Sequence, residues 1–581
     1  MRRHPAQFCV RRRPRRGGVR GALAAALAVT LVGLSAGCGA GGDGDGSAGS
    51  GGSASLPSST TGLAAGEPAP LTADTSSGRL QGMATGQVRQ FLGVRYAQPP
   101  TGARRWTTPV PAPKQAGTVE ATRAGASCPQ AGPAPGAAGA AAPSEDCLFL
   151  NITTPATRQH GERLPVMVWW HGGGFTSGSG SVYDAARLAT RGHVMVVTVN
   201  YRLGVFGYLS LPGLAGSGTF GLADQVLATR WTKQNAEAFG GDPNSITVFG
   251  ESAGAMSACA LLTSPAGKGL VNRVAMSSGG ACRVHWPQGG LLPGTPAQTP
   301  FVSLADGERF GLSQAGTLGC ADAHGAGTGA GASALACLRR ASTGDLSKVT
   351  SLFSDVLAYG TPLLPLDPAK AIADGHNIDV AVLSSGNRDE QRAFVGGVEK
   401  LKPTYTAASY PQDLATAFGA NAGRVAAQYP LARFPSAAIA WSTVITDASW
   451  MCPMLAGNAD LARHGSTVFS AEFADPHPTD INGVGSPDFD PGAAHATDLP
   501  YLFDLGGHNH LGADAQTTLA NTMIDYWTSF ARTGAPTAAG QPTWPRLTNT
   551  TGPTLQLAPT GIHTVDLAAE HHCAFWQSLP R

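Results

Sequence analysis

The sequence predicts an α/β fold in which helices cover both faces of a mostly parallel sheet. Short apolar runs suited to buried strands alternate along the chain with longer segments of helical spacing, and repetition of strand, helix and strand builds parallel sheets. A glycine-rich turn at residues 250–254 also joins one apolar run to a helix-compatible segment. Catalytic loops of such folds gather at the carboxyl ends of the strands, so this turn is expected to lie at a catalytic site.

The first residues of the chain form a separate, targeting segment. Residues 1–37 contain eight arginines, no acidic residue and an apolar run at 22–34 that is too short to span a bilayer comfortably, which is typical of an export signal. Without them the chain has 32 basic and 38 acidic residues, a net charge of −6 in place of +2. Nothing in this balance indicates nucleic acid binding.

The segment that follows offers two possibilities. Residues 35–38, Ser-Ala-Gly-Cys, resemble a bacterial lipobox, in which Cys38 becomes the lipidated N-terminus, although Ser35 stands where an aliphatic residue is usual. The protein is then either a lipoprotein, whose only membrane contact is its acyl chains, or freely secreted. Residues 38–70 are rich in Gly and Ser and lack apolar periodicity, which predicts a flexible tether. The catalytic domain is predicted over residues 71–581.

The stretch SITVFGESAGAMS, residues 245–257, is the centre of that domain. Residues 246–249 predict a buried strand, and a helix is expected to follow up to Leu262. Ser252 lies between them in a G-x-S-x-G pattern, where a serine occupies a strained elbow and the following helix points its N–H groups at the atom under attack. Ser252 is therefore the predicted nucleophile, since the residues flanking the pattern argue against a plain glycine turn.

Other parts of the chain supply the remaining elements. The run 165–170 predicts a strand covered on both faces, and it leads into His171-Gly-Gly-Gly-Phe175, whose unshielded amides could receive an oxygen acquiring charge. Further strands are predicted at 193–200, 271–276, 378–383 and 467–473, and helices at 221–239 and around 523–530. Residues 294–351 are expected to be irregular, forming either a cap over the active site or a surface loop.

Three ordered motifs carry a family resemblance. EDCLFLN at 145–151, HGGGF at 171–175 and FGESAG at 249–254, the last preceded by FGGDP at 239–243, together resemble the type-B carboxylesterase family, the cholinesterase-like branch of the α/β-hydrolases. The match extends from about residue 71 to the C-terminus. It implies the α/β-hydrolase fold with cap insertions, and a serine esterase that cleaves small-molecule carboxylic esters through an acyl-enzyme without metal or cofactor.

The resemblance also implies the rest of the site. Residues 384–390 match the family segment that supplies the triad acid, Glu390, although Ser385 and Gln391 replace two usual glycines and leave Asp389 as a fallback. The loop 492–503 matches the segment that supplies the histidine base, His495. Nucleophile, acid and histidine then follow in the order usual for α/β-hydrolases. The implied oxyanion donors are the N–H groups of Gly173, Gly174 and Ala253.

Eight of the ten cysteines remain after removal of Cys9 and processing at Cys38. An even number is consistent with oxidising surroundings, and we expect the protein to be exported. The resemblance implies the disulfides Cys128–Cys147, Cys320–Cys337 and Cys452–Cys573. Cys259 and Cys282 could form a fourth pair or remain buried thiols, and we expect thiols.

Rival functions are also compatible with parts of the pattern. A catalytically silent adhesion relative typically lacks the serine or the histidine, whereas this chain has both. Choline esters are disfavoured, because residues 128–147 contain no tryptophan for a cation–π contact. A lipase acting on longer acyl chains remains open. His508 and His510, two residues apart, are a weak ligand pattern, so no metal site is expected.

Overall fold

The computed structural model describes residues 66–132, 142–320 and 328–580. The predicted export signal, Cys38 and the tether up to residue 65 lie outside the described residues. The first described strand, Glu67–Pro68, pairs with Thr157–Arg158, so paired backbone already precedes the predicted domain boundary at residue 71.

A twelve-stranded sheet is the largest in the described part of the chain. Its seven central strands are mutually parallel and lie in the order Thr554–Ala558, Val468–Phe473, Ala381–Asn387, Arg273–Ser277, Gly241–Glu251, Leu164–Trp170 and Met195–Val199. Antiparallel strands complete both sides: Phe149–Pro155, Val88–Arg95 and Met83–Thr85 beyond one edge, and Gly561–Val565 and Arg546–Leu547 at the other. Three further small sheets lie in the described part of the chain. One contains Thr72–Thr75, Gly78–Gln81 and Thr118–Glu120. The second pairs Tyr183–Asp184 with Asp504–Leu505, and the third pairs Phe301–Ser303 with Leu357–Tyr359. This mostly parallel sheet confirms the predicted fold class.

The central strands are apolar because both faces of the sheet are covered. Every residue of Leu164–Trp170 and Met195–Val199 is buried, as expected for parallel strands between two helical layers. One layer includes the helices Phe220–Asn235 and Ala253–Leu262. The other includes Asp514–Thr533, whose apolar stripe packs against alternate residues of the same strands.

The remaining helices surround this framework or extend above it. They are Ala186–Gly192, Gly204–Tyr208, Leu304–Thr317, Thr328–Arg340, Thr343–Ser347, Pro368–Ala373, Arg392–Leu401, Tyr410–Phe418, Ala422–Gln428, Ala437–Ile445, Cys452–Arg463, Leu567–Glu570 and Cys573–Gln577. None of the helices in the described ranges is both long enough and apolar enough to cross a membrane.

The expectation of an irregular segment at 294–351 is wrong. This segment contains three of the helices just given, beginning at Leu304, Thr328 and Thr343. Two of them start at a serine cap: Ser303 Oγ accepts a hydrogen bond from the N–H of Asp306, and Ser342 Oγ accepts one from that of Asp345. Alanine is a strong helix former, so local capping and composition produce helices where the apolar spacing was too weak to predict them.

Four disulfides are present among the described residues. The three implied pairs, Cys128–Cys147, Cys320–Cys337 and Cys452–Cys573, are all joined. Cys259 and Cys282 are joined as well, so the expectation of free thiols is wrong. Cys282 lies in a short turn, Gly280–Cys282, that packs against the helix Ala253–Leu262. This packing brings the two Cα atoms to 5.6 Å, within the bonding range.

Candidate active site

Ser252 lies at a sharp turn between the strand Gly241–Glu251 and the helix Ala253–Leu262. Its backbone has φ 53° and ψ −125°, a region that residues with a side chain rarely adopt and that is common at functional sites. The turn also needs glycine at position 254, because a Cβ there would lie 1.9 Å from the carbonyl oxygen of Trp170. The Ser252 hydroxyl is therefore held at the carboxyl end of the central strands.

The glycine loop 172–174 lies beside this turn. A Cβ added to Gly172 would lie 3.0 Å from the Cβ of Ser252, and Gly173 has φ 102°, which favours glycine. The N–H groups of Gly173 and Gly174 donate to no acceptor in the described part of the chain. Both glycines line the same cavity as Ser252 and Ala253. The loop thus places unused donors next to the predicted nucleophile.

His495 and Glu390 meet by a direct hydrogen bond. Nδ1 of His495 donates to Oε2 of Glu390 over 2.6 Å, and the other carboxylate oxygen accepts the N–H of Asn387 at 2.8 Å. Glu390 is fully buried, and His495 is buried with an edge in the cavity. Asn387 also donates through Nδ2 to the carbonyl oxygen of Ala494. The acid and histidine loops are therefore fixed to each other.

The second ring nitrogen of His495 faces Glu251, the residue before the serine. Nε2 lies 3.1 Å from Oε1 of Glu251, while the hydroxyl of Ser252 makes no hydrogen bond to the described residues; catalytic contacts often tighten only when substrate binds. Burial lowers the pKa of His495, but the carboxylates of Glu251 and Glu390 outweigh it and raise that pKa to about 9. Burial raises the pKa of Glu251 to about 8. The position of Glu251 directly before Ser252 in the chain is the sequence signal that could have indicated this contact.

Asp389, the fallback acid, has other partners. Its carboxylate pairs with Arg392 at 2.8 Å and accepts the N–H of Ala493 at 3.0 Å. Adjacent side chains of the loop thus point in different directions, and Glu390, not Asp389, contacts His495.

Gln391 was noted in the sequence only as a departure from the family pattern. Its fully buried amide donates to the carbonyl oxygens of Gly290 and Leu291 at 2.9 and 3.0 Å, and its oxygen accepts the indole N–H of Trp450 at 3.0 Å. The ring of Trp450 lies 5.0 Å from that of His495. Gln391 therefore links the acid loop, the aromatic wall behind the histidine and a loop that lines the cavity.

A cavity of about 1470 Å³ opens above Ser252. This exceeds the usual ligand pocket of roughly 300–1,000 Å³. Much of its wall comes from residues 291–356, including Phe310 and Gln314 on the helix Leu304–Thr317. Of the two possibilities left open for this segment, a cap over the site is the one observed. His508 and His510 lie with ring centroids 6.5 Å apart, and no group of three or more potential metal ligands occurs in the ranges described.

Comparison with known proteins gives a consistent result. A model of the carboxylesterase family matches residues 69–576. Fumonisin B1 esterase of Sphingopyxis macrogoltabida is 34% identical over 504 residues, covering 82% of this chain and 84% of that protein. Para-nitrobenzyl esterase of Bacillus subtilis (strain 168) is 33% identical over 494 residues, covering 83% and 94%. A solved structure titled PNB esterase superposes with a TM-score of 0.69 at 29% identity, covering 87% of this chain and 99% of that one.

Proposed function

The chain belongs to the carboxylesterase family and hydrolyses carboxylic esters, and we propose that Ser252, His495 and Glu390 perform this reaction as a catalytic triad. The observation that carries the proposal is the 2.6 Å hydrogen bond from His495 to Glu390 at the edge of the cavity that contains Ser252. A carboxylate on Nδ1 fixes the imidazole tautomer, so that Nε2 is the nitrogen that accepts the proton in the neutral ring.

The proposed reaction has two halves. Ser252 Oγ attacks the ester carbonyl carbon while His495 Nε2 accepts the hydroxyl proton, and Glu390 stabilises the resulting imidazolium. The imidazolium then gives its proton to the departing alcohol, which leaves an acyl group on Ser252. Water attacks this acyl-enzyme with His495 again accepting a proton. Release of the carboxylic acid, with return of that proton to Oγ, regenerates the serine.

We assign the stabilisation of the tetrahedral intermediate to the N–H groups of Gly173, Gly174 and Ala253. The free donors of the glycine loop and the start of the helix at Ala253 support this, because pre-oriented donors need no rearrangement as charge develops on the oxygen. Glu251 also stabilises the imidazolium of His495, because its carboxylate lies 3.1 Å from Nε2 of that ring. The size of the cavity supports esters with bulky groups.

We further propose that the protein is exported and that Cys38 becomes lipidated. The four disulfides are compatible with an extracellular location. Mass spectrometry of the mature protein from its native host should find a diacylglycerol-modified N-terminus at Cys38, and Cys38→Ala should release the enzyme from membranes. An unmodified N-terminus after cleavage would favour simple secretion.

The triad is tested by turnover of p-nitrophenyl esters. Ser252→Ala should lower kcat by ~10⁴-fold or more, with the folded state intact by circular dichroism. Ser257→Ala is the matched control, because this serine lies on the helix that follows Ser252, is fully buried and has a hydroxyl with no partner among the described residues. Equal activity of Ser252→Ala and the wild type would contradict the assignment.

A further inference from the structure

Asp355 is a buried carboxylate in the wall of the active-site cavity. It follows the turn Thr350–Phe353, only 7% of its surface is exposed, and it lines the cavity that contains Ser252. Its φ of 56° lies in the left-handed region, where side-chain-bearing residues are uncommon and often functional. The triad does not use it.

No positively charged group in the described part of the chain neutralises this carboxylate. Among the described residues its one hydrogen bond comes from Ser354 Oγ, which donates to Oδ2 over 2.7 Å, and none of them donates to Oδ1. Asp224 shows the usual arrangement: it is fully buried, and Arg202 donates to both of its oxygens at 2.7 and 2.8 Å. Buried charges are normally paired in this way. Asp355 lacks such a partner but borders open space.

The carboxylate lies close to the reacting centre. Ser354 Oγ, which donates to Asp355, is 3.4 Å from the point where a Cβ on Gly174 would be. Asp355 is thus one side chain away from the proposed oxyanion donors. A substrate group bound there would belong to the same molecule whose ester carbonyl meets Ser252.

A second unused acceptor lies on the same wall. Gln314 Oε1 is buried without a hydrogen-bond partner among the described residues, and Gln314 follows Phe310 by one turn on the cavity face of the helix Leu304–Thr317. The ring of Phe310 packs 5.0 Å from that of Phe353, two residues before Asp355. This part of the wall therefore contains two acceptor oxygens, Asp355 Oδ1 and Gln314 Oε1, that receive no hydrogen bond from the described residues.

We propose that Asp355, aided by Gln314, binds a protonated primary or secondary amine of the substrate, so that aminoalkyl esters are the preferred substrate class. An ammonium group has hydrogen-bond donors, no acceptor and a positive charge, and it complements both unused acceptors. The inference rests on the proposed function, because it places the amine relative to Ser252. It differs from recognition of quaternary ammonium, which uses aromatic faces and offers no N–H donor.

The test uses two p-nitrophenyl esters with the same acyl chain, one ending in a primary ammonium and the other in a methyl group. A second pair with these ends on the alcohol covers the opposite orientation. In the wild type kcat/KM should favour the ammonium ester. Asp355→Asn should lower kcat/KM for that ester by ~10- to 100-fold, the value of a charge-assisted hydrogen bond, and leave the methyl ester unchanged.

Asp306→Asn is the matched control. Asp306 also lines the cavity, but it is exposed and already paired with Arg309, so this variant should keep the wild-type preference. An unchanged preference in Asp355→Asn, or no preference in the wild type, would overturn the proposal.

Hydrolysis of the methyl-ended ester requires the triad but not Asp355. Its turnover therefore tests the proposed function separately from the amine site. If neither ester is cleaved, calorimetry of butylammonium binding to wild type and Asp355→Asn tests the carboxylate directly. Weaker binding to Asp355→Asn supports the proposal, and equal binding contradicts it.

Discussion

Two buried histidines in this protein have nearly the same local surroundings. His495 lies between Glu390 and Glu251, and His571 lies between Asp447 and Glu472, with Nδ1–Oδ1 and Nε2–Oε1 distances of 2.5 and 2.7 Å. In both, burial lowers the pKa of the ring but the carboxylates outweigh it, to about 9 and about 10. Acids on both ring nitrogens are therefore not what distinguishes the predicted catalytic histidine.

The difference lies in what each ring faces. His495 borders the large cavity with Ser252 and the glycine loop. His571 borders a smaller cavity of about 470 Å³ whose lining has no serine or cysteine, two residues from the disulfide that joins Cys573 to Cys452. In the proposed mechanism the first histidine passes a proton to a reacting atom, whereas the second joins the C-terminal segment to the strand that contains Glu472.

The largest effect that separates the two histidines is on turnover. His495→Gln should lower kcat by about 10⁴- to 10⁶-fold, because the serine loses its base. His571→Gln should change kcat by less than ~10-fold at a temperature where the variant remains folded, because His571 does not line the cavity that contains Ser252. Steady-state kinetics with a p-nitrophenyl ester measures both. A comparable loss in the two variants would remove the distinction.

The second effect separates Glu390 from Asp389, the adjacent acid in the same loop. Glu390→Gln should lower kcat by ~10³- to 10⁴-fold, because an amide no longer stabilises the imidazolium or fixes the tautomer. Asp389→Asn is the control: Asp389 contacts Arg392 and not His495, so its loss should cost less than ~10-fold in kcat. The reverse order of effects would transfer the role of the acid to Asp389.

The third effect is on stability and its pH dependence. His571→Gln leaves two buried carboxylates without their cation, which costs about 3–5 kcal/mol. The folded protein raises the pKa of His571 from 6.5 to about 10. The stabilisation provided by the charged ring is therefore complete below pH 6.5 and is lost as pH rises through about 10. The difference in unfolding free energy between wild type and variant, measured in urea, should therefore shrink as pH rises above neutral. A difference that grows with pH would contradict the ion pairing.

The smallest effect concerns Glu251, the second acid on His495. Its carboxylate helps to raise the pKa of the histidine, so Glu251→Gln should move the acidic limb of the kcat/KM profile to lower pH. The maximum should fall by only ~10-fold, since the carboxylate of Glu390 remains. A limb that stays in place would show that Glu251 does not interact with the catalytic ring.

Much of the fold was predictable because its causes are local. The runs 165–170 and 246–249 are continuous and apolar, and the structure extends them to the strands Leu164–Trp170 and Gly241–Glu251. The helices between 304 and 347 were not predictable in this way, since Gly and Ala supply little apolar periodicity. Capping by Ser303 and Ser342 was the local signal for two of them.

The candidate site likewise has residues that the sequence identifies and contacts that it does not. Ser252, Glu390 and His495 stand in sequence patterns that imply their roles, which remain predictions. Two other features depend on residues far apart in the chain: the contacts of Gln391 with the loop at Gly290, and the bond between Cys259 and Cys282. No local pattern indicates which side chains will meet across such distances.

The most direct test is to identify the residue that reacts as the nucleophile. The protein is treated with an alkyl fluorophosphonate, digested and analysed by tandem mass spectrometry, with His495→Gln treated in parallel. We expect a single stoichiometric adduct on Ser252 in the wild type, loss of esterase activity in proportion to labelling, and little adduct in His495→Gln. An adduct on another residue, with Ser252 unmodified and activity lost, would contradict the proposed triad.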